Sequence, residues 1–245
     1  MGDRSRAGGF YKDRVYSEEG LPELIGLMRG NDHLVLDIGC GGGANARLMK
    51  ELGKIVHAIT LSEAEAEVVS PHVKRVLIGD IETMAFNYAD GFFDAIVLSH
   101  VLEHLIDPWK TLARLRKLLR LGGRIYVALP NITFYQERFK FLLGRFEYND
   151  TGIMDRFHLR FFTYKTAQEL VRLGGYQVLL AKTIGSFPLW PLRCLVGGPI
   201  WIDRLACLVF PNLFGRHVII VGETVLESEV PTKTEQRQVG PSVKS

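Results

Sequence analysis

The chain has 245 residues, of which 47% are hydrophobic, which suits one sizeable globular domain with an elaboration and is short for two full domains. Thirty basic residues against 27 acidic ones leave a formal charge of +3, without the basic block typical of a nucleic-acid partner. Three scattered cysteines exclude a disulfide framework, and no apolar run reaches the roughly 18 residues of a membrane-spanning helix. Because residues 1–10 also lack the pattern of a signal peptide, we expect a cytoplasmic protein.

The first predicted elements are a short helix over Leu21 to Met28 and a strand over residues 33–38 that runs into a glycine turn. A helix over residues 44–52 follows the turn. Glycines at this point let the backbone turn tightly and approach a ligand, which is typical of nucleotide-binding folds. The carboxylate of Asp37 indicates that the ligand carries a positive charge beside its nucleoside. The turn itself consists of Gly39, Cys40, Gly41 and Gly43 with Gly42 between them.

The rest of the chain alternates between strand and helix patterns. Helices are predicted over residues 108–119, opened by Pro108, and 164–173, capped by Thr163. Strands are predicted over residues 55–59, 74–78, 95–98, 124–129, 176–180 and 217–221. This order predicts an α/β, Rossmann-like fold, with a seven-stranded, mostly parallel sheet and helices on both faces.

The composition along the chain predicts three segments. Residues 1–20 are a flexible N-terminal segment, residues 21–224 form the domain, and residues 225–245 are a polar, disordered tail. An apolar insert over residues 184–214 precedes the last strand and is longer than a connection requires. The insert is interpreted as a lid over a pocket, as a homodimer surface, or as a peripheral contact with the inner face of a membrane.

The ends of the second and third strands carry further polar residues. An NAD-binding fold usually holds the ribose with an acid about 20 residues after its glycines, but Thr60 stands at the end of the second strand. This argues against a dinucleotide. Asp80 follows the third strand and precedes Ile81, and residues 93–97 form the start of the fourth strand.

These segments together resemble the class I S-adenosylmethionine-dependent methyltransferases of the methyltransferase-11/23-like group. The turn at Asp37 resembles their motif I, Asp80 and Ile81 resemble their adenine-binding corner, and residues 93–97 resemble their motif II. The resemblance implies S-adenosyl-L-methionine as cofactor. The cofactor-binding residues that it implies are Asp37, Gly39, Cys40, Gly41, Gly43, Thr60, Leu61, Glu65, Asp80, Ile81, Ser99 and His100.

The ribose end of this site departs from the common pattern of the class. Thr60, Leu61 and Ser62 with Glu65 are similar to the ribose-binding segment of the cyclopropane-synthase-like methyltransferases, which carry Thr-Leu-Ser and a later Gln. The resemblance implies that Thr60 and Glu65 reach the ribose hydroxyls. The alternative is that Ser62 simply caps the next helix, with acids in its first turn.

Histidines dominate the end of the fourth strand. His100, Glu103 and His104, with the later His158, resemble the Glu-x-x-Glu-His metal site of ubiquinone-type and small-RNA methyltransferases. Because His100 replaces the first acid, we predict no metal here and a structural role for Glu103 and His104. His158 is the predicted base, with His100 as a second catalytic candidate. The alternative for His158 is a structural histidine that is hydrogen-bonded to the backbone.

The predicted acceptor side lies around residues 129–138 and 151–164. Tyr135, Arg156, His158 and Arg160 are its candidate substrate-binding residues, although both arginines could instead pair with surface acids. The segments resemble glycan-associated methyltransferases and MetW-type proteins. We therefore expect methyl transfer to a small-molecule, glycan or lipid-linked acceptor, at a hydroxyl oxygen. A MetW-type cofactor-binding partner protein and an NAD-dependent oxidoreductase are the alternatives.

Overall fold

The computed structural model describes residues 20–188 and 200–225. The predicted flexible start before residue 20 and the predicted tail after Val225 lie outside the described residues. The seven strands of the sheet are β1 (Leu34–Ile38), β2 (Ile55–Thr60), β3 (Arg75–Ile78), β4 (Phe93–Ser99), β5 (Leu119–Pro130), β6 (Tyr176–Gly185) and β7 (Gly215–Thr224). The helices are α1 (Pro22–Ile25), α2 (Ala44–Glu51), α3 (Glu63–Val69), α4 (Pro108–Arg116), α5 (Tyr135–Leu142), α6 (Tyr164–Leu173), α7 (Ile200–Val209) and α8 (Pro211–Phe214).

The strands form one sheet in the order β3-β2-β1-β4-β5-β7-β6. Strand β7 is antiparallel to both of its neighbours, and the other observed pairings are parallel. The predicted seven-stranded, mostly parallel Rossmann-like sheet is therefore confirmed. In such a sheet, ligands bind beyond the carboxyl ends of the parallel strands.

Both faces of the sheet are covered, because successive side chains of a strand point to opposite sides. Leu36 and Ile38 of β1 lie in one buried cluster, together with Leu112 of α4 and Leu170 of α6. Val35 lies in a second cluster, with residues of α1 and α2. The predicted arrangement with helices on both faces of the sheet follows from this two-sided burial.

Several predicted bounds are wrong. Helix α1 is only four residues long, because Gly26 ends the helix and the chain continues in turns through Met28. Helix α4 ends at Arg116, and β5 begins at Leu119 rather than after the two glycines, because Leu119 pairs with Phe93 of β4.

The last two strands are longer than predicted, because their backbones pair along most of their length. Ile184 pairs with His217 and Gly185 with Gly215, so the first two residues of the predicted insert belong to β6. The rest of the insert contains α7 and α8, and its residues 189–199 lie outside the described part. Among the described residues, no helix has the length and apolar character needed to cross a membrane.

Candidate cofactor pocket and histidine cluster

The glycine turn after β1 requires glycine at two of its positions. Gly39 has a φ of +66°, and a Cβ atom there would lie 2.5 Å from Cγ2 of Val101. Gly43 has a φ of +79° at the N-cap of α2, and a Cβ atom would lie 2.8 Å from Cγ2 of Val69. Backbone conformation and lack of space therefore both exclude larger residues at these two positions, and the turn packs tightly against Val101 and the end of α3.

Asp37 is a buried carboxyl group beside this turn. Its side chain is 1% exposed, and its Oδ2 atom has no hydrogen-bond partner among the described residues. Burial raises the pKa of this carboxyl to about 7. Because an unpaired buried charge is costly, this position favours a positively charged ligand that restores the lost interaction.

Thr60 and Glu65 meet at the end of β2. The Thr60 hydroxyl donates to Oε2 of Glu65 over 2.5 Å, and both residues are buried. The capping alternative is present in the same place, because the Ser62 hydroxyl accepts from the Glu65 backbone N–H at the start of α3. The two interpretations are compatible, since capping uses the backbone of Glu65 and leaves its carboxylate to Thr60.

The remaining predicted cofactor residues lie around the same edge of the sheet. The Oδ1 atom of Asp80 accepts a hydrogen bond of 2.8 Å from the backbone N–H of Glu82, so part of this carboxylate stabilises its own turn. Ile81 is buried beside it, whereas Leu61 is exposed. Cys40 is buried in the glycine turn, and burial, together with the nearby Asp37, raises the pKa of its thiol.

His100 directly follows Ser99, the last residue of β4, and has a strained backbone. Its φ is +57°, the one positive value found for a non-glycine residue within residues 20–188 and 200–225. Left-handed backbone at a non-glycine residue costs roughly 1 to 3 kcal/mol and is concentrated at functional sites. The backbone N–H of His100 is held by the carbonyl of Ala128 in β5 over 3.0 Å.

Glu103 is the centre of the histidine cluster. Its side chain is fully buried, and its Oε1 atom lies 3.3 Å from Nδ1 of His100 and 4.0 Å from Nε2 of His158. Burial alone would raise the pKa of Glu103, but the hydrogen bond with His100 and the charges of neighbouring histidines hold this pKa below its usual value. The carboxylate is therefore ionised at neutral pH and lies between the two predicted catalytic histidines.

His104 and His158 complete the cluster. Nδ1 of His104 lies 3.2 Å from the carbonyl oxygen of Phe157, and Nδ1 of His158 lies 2.9 Å from that of Ile153. Each ring therefore donates through Nδ1 and carries its lone pair on Nε2. Burial lowers the pKa of His158, so this ring is neutral at pH 7.

These contacts fit a metal site as well as a proton acceptor. One ligand atom each from Glu103, His104 and His158 lies within 4.8 Å of the others. Imidazoles oriented by a carbonyl on the opposite nitrogen are typical ligands of divalent transition metals. Only a structural role was predicted for Glu103 and His104. The fold brings them together with His158 as a set of possible metal ligands.

His217 is a member of this region that the sequence analysis missed. It lies at the start of β7, opposite Pro130 at the end of β5, and its ring meets that of His100 at a centroid distance of 4.9 Å. Its Nδ1 atom is buried without a hydrogen-bond partner in the described part of the chain. Burial, with further contributions from His100 and Arg216, lowers its pKa to about 3. No local sequence pattern marks it, because only the antiparallel pairing brings it to this edge.

The predicted acceptor-side residues have partners within the protein. Arg156 pairs with Asp150, and both side chains are largely exposed. Arg160 donates to the carbonyl of Ile106 over 2.7 Å and lies over the ring of Trp109. Arg156 therefore pairs with a surface acid, as in the alternative interpretation. Arg160 instead binds the backbone of the loop before α4.

Tyr135 begins α5 and contacts aromatic rings on both sides. Its ring lies 4.5 Å from that of Phe134 and 6.2 Å from that of Phe214, measured between centroids. Phe214 ends α8, so Tyr135 joins the segment after β5 to the predicted insert. Both segments border the carboxyl edge of the sheet, where the histidines lie.

Comparison with known proteins agrees with this fold. Residues 36–127 match a family model described as a methyltransferase domain. A ubiquinone biosynthesis O-methyltransferase of Saccharophagus degradans is 33% identical over 102 residues, which are 40% of this chain and 43% of that protein. The chain thus matches less than half the length of this relative.

Solved structures extend the likeness to most of the fold. An S-adenosylmethionine-dependent methyltransferase from Archaeoglobus fulgidus gives a TM-score of 0.59 at 18% identity, covering 91% of this chain and 95% of that one. The [4+2]-cyclase SpnF gives a TM-score of 0.58 at 18% identity, covering 88% and 86%. The same fold therefore occurs in proteins of different reactions.

The family model over residues 36–127 and the shared fold agree with the predicted class, the S-adenosylmethionine-dependent methyltransferases. The predicted class is confirmed, and with it the cofactor of the class, S-adenosyl-L-methionine. The NAD-dependent alternative is thereby set aside.

Proposed function

We propose that this chain binds S-adenosyl-L-methionine at the carboxyl edge of the sheet and transfers its methyl group to a hydroxyl oxygen. The observation that carries the proposal is Asp37, a buried carboxyl group whose Oδ2 atom lacks a partner among the described residues. It lies beside a turn that requires glycine at two positions. The cofactor is cationic at its sulfonium and ammonium groups, and either charge would compensate this carboxylate.

Cofactor contacts are assigned along the same edge. Thr60 and Glu65 bind the ribose hydroxyls, and Asp80 with Ile81 binds the adenine, while the glycine turn lies against the remainder of the cofactor. Support for the ribose assignment is the buried position of both side chains and their direct hydrogen bond. Because Val101 packs on Gly39, the cofactor turn is in contact with the loop that carries Glu103.

An oxygen acceptor is favoured by the chemistry of the histidine cluster. Neutral His158 carries a lone pair on Nε2, and the ionised Glu103 lies 4.0 Å from this nitrogen, which would stabilise the imidazolium formed by proton transfer. His100 differs, because its Nδ1 donates to the carboxylate of Glu103 over 3.3 Å, so Nε2 would be its proton-accepting nitrogen. The name of the Saccharophagus relative, an O-methyltransferase, supports the same acceptor atom.

Positioning is the main requirement of methyl transfer, since nucleophile, methyl carbon and sulfur must be aligned. The acceptor class is a small molecule, a glycan or a lipid-linked compound, held by Tyr135 and His158. A metal ion bound by Glu103, His104 and His158 would use the Nε2 lone pair of His158 in place of proton transfer, and would supply Lewis acidity at an acceptor oxygen.

Transfer of a radiolabelled methyl group from S-adenosylmethionine tests this function. Panels of phenols, sugars and isoprenoid lipids serve as acceptors, and calorimetry with S-adenosylmethionine and NAD measures binding separately. We expect micromolar binding of the methyl donor, none of NAD, and labelled product that alkali does not release, as for an ether.

Two outcomes would change the proposal. Tight cofactor binding without transfer to any acceptor favours the MetW-type partner protein, which would use the same pocket without its own reaction. Failure to bind the cofactor would overturn the proposal as a whole.

A further inference from the structure

Helix α7 presents an apolar face to solvent. Trp201, Leu205 and Leu208 are spaced by four and three residues, so they lie on one side of the helix, and Leu208 is 78% exposed. The opposite side of the helix is attached to the domain, where the Thr183 hydroxyl in β6 donates to the carbonyl of Cys207. Burial therefore orients the helix with its apolar stripe outward.

A second exposed apolar face occurs on α5. Phe139 and Leu142 are three residues apart, and Leu143 directly follows the helix; Leu142 is 81% exposed. Phe146 and Tyr148 continue the exposed aromatic character into the next loop. Glu137 on the other side of the helix is buried, which fixes the direction of the exposed face.

An aromatic junction near the site connects the two helices through Phe214 of α8. Phe214 lies 6.2 Å from Tyr135 of α5 and 6.2 Å from Phe210, which directly follows α7, between ring centroids. The Asn131 side chain, at the end of β5, donates to the carbonyl of Gly215 over 2.7 Å and ties this junction to the sheet. Both faces therefore flank the carboxyl edge, where the proposed acceptor enters.

Charges around the two faces favour an anionic partner. Arg138, Lys140, Arg145 and Arg204 are exposed cations on or beside the helices. Of the acids, Glu137 is buried against Lys140, and Asp203 accepts from the backbone N–H of Phe187. Glu147 is exposed in the loop after α5, so cations still outnumber acids on and beside the two faces. Lysine is depleted in the cores of protein interfaces, whereas Trp, Phe and Leu flanked by Lys and Arg are typical of helices that lie in a bilayer surface.

We propose that α5 with residues 143–148 and α7 form a docking surface for an anionic lipid bilayer. The apolar stripes enter the headgroup region, and the flanking cations contact lipid phosphates. This inference rests on the proposed function in one respect, because it names the acceptor as a lipid-linked or membrane-dissolved compound that reaches the pocket from the bilayer.

Flotation with vesicles tests the surface on the full chain. The probes are vesicles of phosphatidylcholine with phosphatidylglycerol and of phosphatidylcholine alone. Leu142→Glu and Leu208→Glu place a charge on each face, separately and together. Leu121→Glu is the matched control, since Leu121 is 67% exposed but lies near the amino end of β5, at the opposite edge of the sheet.

We expect the wild-type protein to float with phosphatidylglycerol vesicles and the double variant to lose at least about tenfold in the floating fraction. The control should float like the wild type. Wild-type protein that stays in the bottom fraction, or a double variant that floats unchanged, overturns the docking surface. Light scattering tests whether a second copy of the chain occupies the α7 face instead. If the wild-type protein is a dimer and Leu208→Glu dissociates it, α7 is a dimer interface and the proposal is overturned.

Calorimetry with S-adenosylmethionine keeps the two proposals apart. All variants should bind the cofactor with wild-type affinity, because no substituted residue belongs to the pocket. Lost flotation with intact cofactor binding therefore concerns the membrane surface alone, whereas a wild-type protein without cofactor affinity would contradict the proposed function and leave the flotation result valid.

Discussion

The hydroxyl of Thr60 donates to the carboxylate of Glu65 over 2.5 Å, from the end of β2 to the first turn of α3. A helix cap at Ser62 brings the two side chains together, because it sets the start of α3 directly after the strand. Capping and proposed ribose binding thus use the same turn, but through different groups.

Substitutions in this turn separate capping from cofactor binding. We expect Glu65→Ala to weaken S-adenosylmethionine binding by about tenfold or more, since a charged hydrogen bond contributes roughly 1.5 to 3 kcal/mol. Ser62→Ala should lower the free energy of unfolding by about 1 kcal/mol and leave affinity nearly unchanged. Calorimetry and thermal denaturation measure the two effects. Unchanged affinity in Glu65→Ala would remove the ribose assignment.

Asp37 should oppose folding while it supports binding. We expect Asp37→Asn to reduce cofactor affinity by about tenfold to a hundredfold, because the cation loses its counter-charge. The same change should raise the thermal midpoint of the ligand-free protein near pH 8, since an ionised carboxylate is no longer buried. Asp107→Asn is the control, as this exposed acid only caps α4. A variant that binds normally would exclude Asp37 from cofactor recognition.

The pKa of Asp37, raised to about 7, predicts a pH dependence with opposite signs for binding and stability. Cofactor affinity should rise between about pH 6 and pH 8, because the ionised carboxylate is the binding form. The ligand-free native state holds a proton that the unfolded chain has lost, so its stability through this group should fall as pH rises from about 4 to 7. Calorimetry and denaturant unfolding across this range, with Asp37→Asn as a flat reference, measure both trends. If Asp37→Asn shows the same pH dependence of affinity and stability as the wild type, other titrating groups cause both trends.

Gly39 should tolerate no side chain. In Gly39→Ala the new Cβ would lie 2.5 Å from Cγ2 of Val101, at a φ of +66°. We expect a loss of about 2 to 4 kcal/mol in the free energy of unfolding, from the left-handed backbone and the overlap together. Gly53→Ala isolates the backbone contribution, because Gly53 has a φ of +74° with no atom within 4 Å of the added Cβ. If both variants lose the same free energy of unfolding, the side chain of Val101 moves aside without a measurable energetic penalty.

Strong local signals made most of the fold predictable. The apolar run before Asp37, the glycine turn and the alternation of strands with helices each depend on neighbours in sequence, so class and strand count were correct. The predicted ends of strands were wrong where backbone pairing between strands outweighed the local sequence preference. Leu119 and Ile184 both join the sheet beyond their predicted limits, because backbone groups at those positions find partners in other strands.

The histidine cluster was predictable in part. His100 and His158 were identified as candidates, but Glu103 was assigned only a structural role. Nothing in its local pattern shows that His158, 55 positions further along the chain, lies near its carboxylate. His217 had no signal at all, since an antiparallel partner strand supplies it.

The sequence by itself determined the nucleotide-binding turn and the sheet that carries it, because glycine conformation and the alternation of apolar residues are local properties. Only the tertiary structure decided how the histidines gather around one buried carboxylate, and which helical faces remain exposed. Those properties depend on which residues pack together, and packing joins segments that the chain itself keeps far apart.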